Sequence, residues 1–419
     1  MKILFVLESF TPDINVVVVR MQNIVNTFSC QKDIDIRVIV YNPLKNISSK
    51  DNTYKINDNV TIVRYETRIL PKIFYVIDFI NPFKLFSLIA ILMKDSYHYK
   101  PDIIFTSVPN VPPTIAAYIT SIFLKNKCVI DMRDNWINDD IWAYAVSYYP
   151  AFLRPFCMVL CKLFKQLYLR SCKNALLIST VYDSMIPSLK GITKSQVPIV
   201  HIPNGIDVTE LETIKKRDCI NTILNQYGFN PKTDKIIIYV GMIGTYYRPE
   251  ILINPIKNLI DKGHDIKYLI VGDGNSLELI QNMITSKGLS KNVFAIGTKK
   301  HDEVIELLLS SNMAFYAIDN SFPNPEFALG TKVLEYIACK LPILSVAGRN
   351  SAVNALVSTH GIGIALNWNE LDRLEASIES ILYDSEYSQR ISNYYPAFLK
   401  KYDRMVNSKE LYDSIIKYC

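Results

Sequence analysis

Residues 235–244 have the sequence KIIIYVGMIG, an apolar run that ends in two glycines. A run of this hydrophobicity indicates a strand that is covered on both faces, as in parallel sheets. The glycines that follow allow the backbone to approach a ligand closely. Because ligands bind at the carboxyl ends of strands in open α/β sheets, the segment predicts an α/β domain with a candidate site just after residue 240.

Apolar runs of the same kind recur on both sides of this segment, separated by stretches of helical length. This alternation predicts parallel sheets covered by helices. The first series of runs covers residues 3–8, 36–41, 60–65, 103–107, 128–132, 175–180 and 198–203, and the second covers residues 235–241, 267–274, 293–297, 314–318 and 342–346.

The two series predict two domains, which suits a chain of 419 residues. We place the boundary at Asn204-Gly205, so that residues 1–204 form the first domain and residues 205–393 the second. The closing segment, residues 394–419, has a helical pattern and no strand after it. We therefore expect one closing helix that packs back on the first domain.

The composition is that of a globular protein, with 49% hydrophobic and 21% charged residues. A net charge of +6 without basic tails or a nucleic-acid-reading motif excludes a nucleic-acid partner. Eight scattered cysteines without a Cys-x-x-Cys pair predict reduced thiols in the cytoplasm and no metal site. The N-terminus resembles a first strand and not a signal peptide.

A glycine turn at Gly330 precedes the helical pattern TKVLEYIA, residues 331–338. A helix start offers free N–H groups and a partial positive charge, so the amides of Thr331 and Lys332 could bind a phosphate. The Lys332 ammonium would add charge, and Glu335, about one turn further, could accept hydrogen bonds from ribose hydroxyls. The alternative is an ordinary amphipathic helix with a surface glutamate.

Two further loops follow predicted strands. In the second domain, Gly241, Gly244 and Thr245 are followed by Arg248, which could clamp a diphosphate; the alternative is a tight turn with a solvated arginine. In the first domain, residues 131–136 read DMRDNW, and Arg133 and Asp134 are candidate catalytic residues. The alternative there is an Arg–Asp pair that only holds the loop together.

Residues 151–173 contain Arg154, Lys162, Lys165, Arg170 and Lys173 but no acidic residue. A basic amphipathic helix with aromatic residues is typical of segments that lie on an anionic membrane surface. A buried helix with a cationic outer face fits the pattern equally well. The apolar stretches at residues 73–80 and 85–93 fall short of the roughly 18 residues that a membrane span requires.

Together these motifs resemble family-four retaining glycosyltransferases of GT-B fold, in particular bacterial enzymes of O-antigen and capsule synthesis. The resemblance implies two Rossmann-like domains that face each other across a cleft, an acceptor domain first and a donor domain second. It runs through the whole chain in the order PDIIFTSVP, DMRDNW, HIPNGID, YVGMIG, LIVGDG, VFAIG and GTKVLEYIACKLPIL.

The resemblance also assigns roles. It implies that Glu335 holds the ribose, that Gly330 to Lys332 contact the diphosphate, and that Gly241 and Gly244 lie beside the donor sugar. Backbone near Gly297 and Thr298 would contact the base, and Arg133 and Asp134 fall near the family's first-domain His-Asp pair that contacts the sugar.

The sequence departs from the family where Phe327 occupies the position of the first motif glutamate, so Glu326 is the candidate to replace it. Residues 15–19 read NVVVV where the family often has a glycine pair. The family implies retention of anomeric configuration, no cofactor and no required metal, and the sequence has no Asp-x-Asp pair suited to Mg²⁺.

The expected function is transfer of a sugar from a nucleotide-sugar donor, a UDP-sugar, to a lipid-linked saccharide acceptor in surface polysaccharide synthesis. The expected location is the cytoplasm, peripheral on the inner face of the membrane. Two alternatives remain open: a nucleotide-sugar epimerase of the same fold, which would turn over without an acceptor, and a non-catalytic scaffold of polysaccharide assembly, which would tolerate loss of Glu335.

Overall fold

The computed structural model describes residues 1–11, 16–41, 53–65, 81–108, 111–134, 137, 142, 146–147, 149–216, 222–230, 233–322 and 329–419. Within it the chain forms two compact units. The first unit consists of Met1–Asn204 together with Arg404–Cys419, and the second of Gly205–Asp403.

The strands are β1 (Lys2–Leu7), β2 (Asp35–Val40), β3 (Thr53–Asn57), β4 (Val60–Arg64), β5 (Ile103–Val108), β6 (Lys127–Met132), β7 (Leu177–Thr180), β8 (Ile199–His201), β9 (Lys235–Val240), β10 (Ile266–Val271), β11 (Val293–Gly297), β12 (Met313–Ala317), β13 (Ile343–Val346) and β14 (Gly363–Leu366). The helices are α1 (Val16–Ser29), α2 (Pro82–Tyr99), α3 (Val111–Leu124), α4 (Arg154–Lys173), α5 (Ile186–Thr193), α6 (Val208–Lys215), α7 (Thr222–Asn225), α8 (Ile253–Asp261), α9 (Leu277–Ser286), α10 (His301–Leu309), α11 (Thr331–Ala338), α12 (Ala352–His360), α13 (Leu374–Tyr383), α14 (Ser385–Tyr402) and α15 (Arg404–Tyr418).

The first unit is built on an eight-stranded sheet in the order β3-β4-β2-β1-β5-β6-β7-β8. All neighbours are parallel except β3 and β4. One face packs on α1 and α15, where Ile3 and Phe5 meet Phe28 and Leu411. Helix α3 packs on β5 and β6 and contacts α2 and α4. The sheet is therefore covered on both sides, as its apolar strands require.

The second unit contains a parallel six-stranded sheet in the order β11-β10-β9-β12-β13-β14. Successive residues of β9 belong to different cores, Ile236 and Ile238 to one and Ile237 and Tyr239 to the other. The strand order reverses between β9 and β12, which makes this pair the topological switch point of the sheet, where ligands bind in such folds.

The structure confirms the predicted α/β fold class and adds two strands that the sequence patterns missed. Strand β3 (TYKIN) is polar and pairs antiparallel at a sheet edge, and β14 (GIAL) lies in a glycine-containing stretch. Neither has the long apolar run on which the prediction depended.

The single closing helix predicted for residues 394–419 is wrong in its extent. The helix breaks at Asp403, whose backbone is extended (φ −71°, ψ 118°). Before the break, Phe398 and Tyr402 are buried in the core of the second unit, and only α15, through Leu411 and Ile415, packs in the first. The closing segment therefore belongs to the second unit up to Asp403 and to the first unit from Arg404 onward. No helix among the described residues is long and apolar enough to cross a membrane.

Candidate functional site

The switch point of the second sheet brings together two of the predicted motifs. The turn Gly241–Gly244 directly follows β9, and α11 is the first helix after β12 among the described residues. Since β9 and β12 are neighbours in the sheet, their carboxyl ends lie side by side. The candidate site is therefore the edge of the sheet where the glycine turn and the start of α11 emerge.

Tyr336 holds α11 against this glycine turn. Its hydroxyl donates a hydrogen bond to the Val240 carbonyl (3.2 Å) and accepts one from the Val240 amide (2.8 Å). Val240 is the residue before Gly241, so the two bonds connect the helix to the beginning of the turn. Burial raises the pKa of Tyr336, and the hydroxyl therefore keeps the proton that it donates. Tyr336 could not be singled out from the sequence, because its partner Val240 lies far away in the chain.

The start of α11 has the features that favour an anion. Gly330 is the N-cap residue and has no side chain to cap the first amides, and the first turn has no acidic residue. The Lys332 ammonium donates to both Glu335 carboxylate oxygens, at 2.9 and 2.7 Å. Both side chains are accessible, with 30% of Lys332 and 14% of Glu335 exposed. The predicted phosphate and ribose residues thus pair with each other on one helix.

A second glycine turn, at Gly272–Gly274, packs directly against the turn at Gly241–Gly244. A Cβ at Gly272 would lie 1.8 Å from the Gly241 carbonyl oxygen, and one at Gly274 would lie 1.9 Å from the Ile243 carbonyl oxygen. Both glycines have positive φ, 148° and 152°. The close contact between the turns therefore requires glycine at both positions. Residues 272–274 were part of a recognised motif, but their role as the support of the first turn was not predicted.

The turn after β11 joins this arrangement. The Gly272 amide donates to the Gly297 carbonyl at 3.0 Å. Thr298 follows with an exposed side chain, and Thr245 is exposed at the end of the first turn. The structure thus brings the turns at Gly241, Gly272 and Gly297 together at adjacent strand ends.

Arg248, the predicted diphosphate clamp, is held by two carboxylates. Its guanidinium pairs with Glu250 and with Asp319, the latter at 3.1 Å. Hydrogen bonds from the Ser321 backbone and hydroxyl, together with Arg248, lower the pKa of Asp319, which therefore remains charged. A phosphate would have to share Arg248 with these two acids.

In the first unit, the structure reveals a buried polar network centred on Asp131. The carboxylate is fully buried and accepts two hydrogen bonds from Arg20, at 3.2 and 2.8 Å. Ser107 and Ser179 donate the other two, at 3.1 and 2.8 Å. Burial by itself raises the pKa of Asp131, but the charge and hydrogen bonds of Arg20 lower it overall. Asp131 therefore connects α1, β5 and β7 to its own strand.

Arg20 extends the network to the end of the first unit. Its guanidinium also donates to the carbonyls of Ile202 and Pro203, at 3.0 and 3.1 Å. The chain leaves β8 at this point. From the sequence, Asp131 was visible only as part of the polar loop at residues 131–136, and Arg20 was not a candidate, since their partners are distant in sequence.

Arg133 and Asp134 come shortly after Asp131 in the chain. The Arg133 Nε donates to the Val108 carbonyl at 3.0 Å, which places its side chain near the end of β5. Asp134 is exposed. Glu326 and Phe327 lie outside the described residues, as do Asn135 and Trp136. Among the residues that are described, no group of three or more His, Cys, Asp or Glu side chains could hold a metal ion.

Comparison with known proteins identifies the domain that carries this site. Residues 222–397 match the family model Glycosyl transferases group 1. The chain is 25% identical over 167 residues to alpha-D-kanosaminyltransferase of Streptomyces kanamyceticus, covering 40% of this chain and 41% of that protein. It is 24% identical over 218 residues to the phosphatidylinositol N-acetylglucosaminyltransferase GPI3 subunit of Saccharomyces cerevisiae, covering 51% of this chain and 45% of that protein. The alignments thus span less than half of either relative.

Solved structures match over the whole chain. A glycosyltransferase from Rickettsia africae superposes with a TM-score of 0.69 at 14% identity, covering 100% of this chain and 98% of the other. Anabaena HepE in complex with UDP and glucose superposes with a TM-score of 0.66 at 14% identity, covering both chains completely. Residues 222–397 are therefore a domain of the group 1 glycosyltransferase enzymes, within a chain that has the GT-B fold.

Proposed function

We propose that this protein is a retaining, metal-independent glycosyltransferase that moves a sugar from a UDP-sugar to a lipid-linked saccharide in surface polysaccharide synthesis. The observation that carries the proposal is the start of α11 at Gly330, which has no side chain to cap the helix and which Tyr336 holds against the glycine turn of β9. A helix start of this kind favours an anion, and the switch point is where a nucleotide is expected to bind, so both support a donor site here.

The donor diphosphate would bind at the amides of Thr331 and Lys332, where the helix dipole favours negative charge. In the free protein the Lys332 ammonium is bonded to Glu335. An ammonium has three donors, so Lys332 can keep a bond to Glu335 and still donate to a phosphate oxygen. Glu335 would accept hydrogen bonds from the ribose hydroxyls with its remaining lone pairs.

The transfer step needs stabilisation of the leaving group. The acceptor hydroxyl oxygen forms a bond to the anomeric carbon while the bond between that carbon and the donor phosphate oxygen breaks, and negative charge develops on the departing nucleoside diphosphate. The helix amides and Lys332 would stabilise that charge. The departing phosphate would take the acceptor proton, while Arg133, Asp134 and Glu326 would contact the donor sugar. Gly297 and Thr298 would border the base. Arg248 would bind the diphosphate only in competition with Glu250 and Asp319.

The relatives support the donor and the acceptor classes separately. HepE was crystallised with UDP and glucose, which supports a UDP-sugar donor here. The GPI3 subunit is named for a transferase with a phosphatidylinositol substrate, which supports an acceptor carried by a lipid. The same acceptor would place this protein on the inner face of the cell membrane.

Incubation of the full chain with a panel of UDP- and GDP-sugars tests the proposal. We expect at least one UDP-sugar to raise the melting temperature and to release UDP when a polyprenyl-diphosphate-linked saccharide is added. The product should keep the donor's anomeric configuration by NMR. Conversion of the donor to another nucleotide sugar without acceptor would instead indicate an epimerase. If no donor binds, the proposal fails in favour of a scaffold.

A further inference from the structure

Three helices of the first unit, α2, α3 and α4, form one layer over the sheet. In this layer and the turn before α4, large apolar side chains remain exposed. The second unit, within its described residues, exposes three, Met242, Leu279 and Tyr383. Those of the layer are Phe83, Phe86, Tyr97, Ile122, Phe123, Phe152, Phe156, Met158, Val159 and Leu163.

On α2 the exposed aromatic residues form a stripe. Phe83, Phe86 and Tyr97 recur at helical spacing and share one face, and they are 71%, 68% and 70% exposed. Buried Leu88 and Leu92 lie on the inner face of the same helix. The inner face thus meets the packing requirement of the fold. The outer stripe remains exposed, and Tyr97 lies edge to face with His98 of the same helix at 5.5 Å.

A similar stripe runs along α4. Phe156, Val159 and Leu163 follow the spacing i, i+3 and i+7, and all three are exposed. Cys161, Phe164 and Tyr168 form the buried side of this helix. The two stripes therefore lie on the outer surface of helices that both contact α3.

The charges of the layer are almost all of one sign. Its three helices contain a single acidic residue, Asp95, which is buried and paired with Arg37 at 3.0 Å. Five basic side chains are exposed: Lys94, Arg154, Lys162, Arg170 and Lys173. A surface that combines exposed aromatic groups with positive charge is complementary to an anionic lipid interface.

We propose that the outer face of α2, α3 and α4 is the surface by which the protein docks on an anionic lipid bilayer. The aromatic residues of α2 and α4 enter the headgroup region, and the exposed cations contact lipid phosphates. A symmetric dimer through this face is disfavoured, because a two-fold interface would place like charges opposite each other. Docking on this face would bring the protein to its lipid-linked acceptor, so the biological role of the surface rests on the proposed function.

Vesicle co-sedimentation of the full chain tests the docking surface. We expect binding to vesicles that contain phosphatidylglycerol, weaker binding to pure phosphatidylcholine, and a decrease at high salt. The double variants F83S/F86S and F156S/L163S should lower the affinity about tenfold or more, and K162E/K173E should remove the preference for anionic vesicles. Leu279→Ser, an exposed leucine on α9 of the second unit, is the matched control and should bind like the wild type.

Two further measurements separate the outcomes. UDP-sugar binding by each variant should equal that of the wild type, which shows that the variants fold and that the donor site is intact. If the wild type binds no UDP-sugar, the proposed function is overturned, but the conclusion from vesicle binding is unaffected. Wild-type vesicle binding by the aromatic variants, or no binding by the wild type, would overturn the docking surface. So would a dimer in size-exclusion chromatography that the aromatic variants abolish.

Discussion

The two units each place a cation and a carboxylate near the carboxyl edge of their sheet, in opposite environments. In the first unit, Arg20 and Asp131 are 8% and 0% exposed, and every Asp131 oxygen is occupied by neighbouring elements. In the second, Lys332 and Glu335 are 30% and 14% exposed and belong to the same helix. The first pair is buried and cannot be reached by a ligand, whereas the second pair is exposed enough for a ligand to contact it.

From this difference we infer that the first pair stabilises the fold, and we propose that the second pair binds the donor. A buried carboxylate with four donors is a fixed part of the fold, because loss of any donor leaves an unsatisfied charge in the interior. An accessible pair within a helix contributes little to stability and can exchange partners. We therefore expect changes at the first pair to lower the free energy of unfolding and changes at the second to lower donor affinity.

The largest expected effect is that of Asp131→Ala. The substitution leaves the Arg20 guanidinium buried without its counter-ion, so the free energy of unfolding should fall by about 3–5 kcal/mol. Urea unfolding followed by circular dichroism measures the change. The control is Asp261→Ala, which removes an exposed i,i+4 pair with Lys257 and should leave the unfolding free energy nearly unchanged. Equal effects of the two substitutions would contradict the structural role of the buried pair.

The next effect is on donor binding by Glu335→Ala. Loss of charged hydrogen bonds to the ribose should lower the affinity for the UDP-sugar by about tenfold to a hundredfold, while the free energy of unfolding changes by less than about 1 kcal/mol. Calorimetric titration measures the affinity. Glu212→Ala is the matched control, because Glu212 forms an i,i+3 pair with Lys215 on α6 of the same unit. If both variants bind the donor normally, Glu335 has no role in the site.

A pH series tests the charge of the buried pair. Since the pKa of Asp131 is lowered in the folded chain, its ionised form stabilises the fold fully above the ordinary value of about 3.9. That contribution is lost as the pH falls through the lowered value. The Asp131→Asn variant lacks the titrating group. Its deficit in unfolding free energy should be constant above about pH 5 and should shrink below about pH 4. A deficit that persists or grows in acid would contradict the charge assignment.

The comparison also explains how much of the molecule could be predicted from sequence. The α/β class, the glycine turn at Gly241 and the helix start at Gly330 are local patterns, because each occupies a few consecutive residues. Lys332 and Glu335 are three residues apart, so their pairing follows from the helix alone. The candidate site of the second unit was therefore largely visible before its structure.

Contacts between distant residues could not be predicted in this way. Asp131 lies 111 residues from Arg20 and 48 from Ser179, and Tyr336 lies 96 residues from Val240. Such pairs depend on the strand order, which the apolar runs do not reveal. In the sequence, Asp131 was visible only as part of a polar loop. The structure shows that it belongs to a buried hydrogen-bond network, which Arg133 and Asp134 follow in the chain.

The smallest expected effect concerns the coupling between Lys332 and Glu335 in the absence of a donor. In a double-mutant cycle with Lys332→Ala and Glu335→Ala, the coupling free energy should be about 0.3–0.5 kcal/mol and should approach zero at high salt. The corresponding cycle with Arg20→Ala and Asp131→Ala should give a coupling several times larger that salt hardly screens. Both cycles are measured by urea unfolding. A coupling at Lys332 that is large and insensitive to salt would mean that this pair is also structural, and the contrast between the two units would then fail.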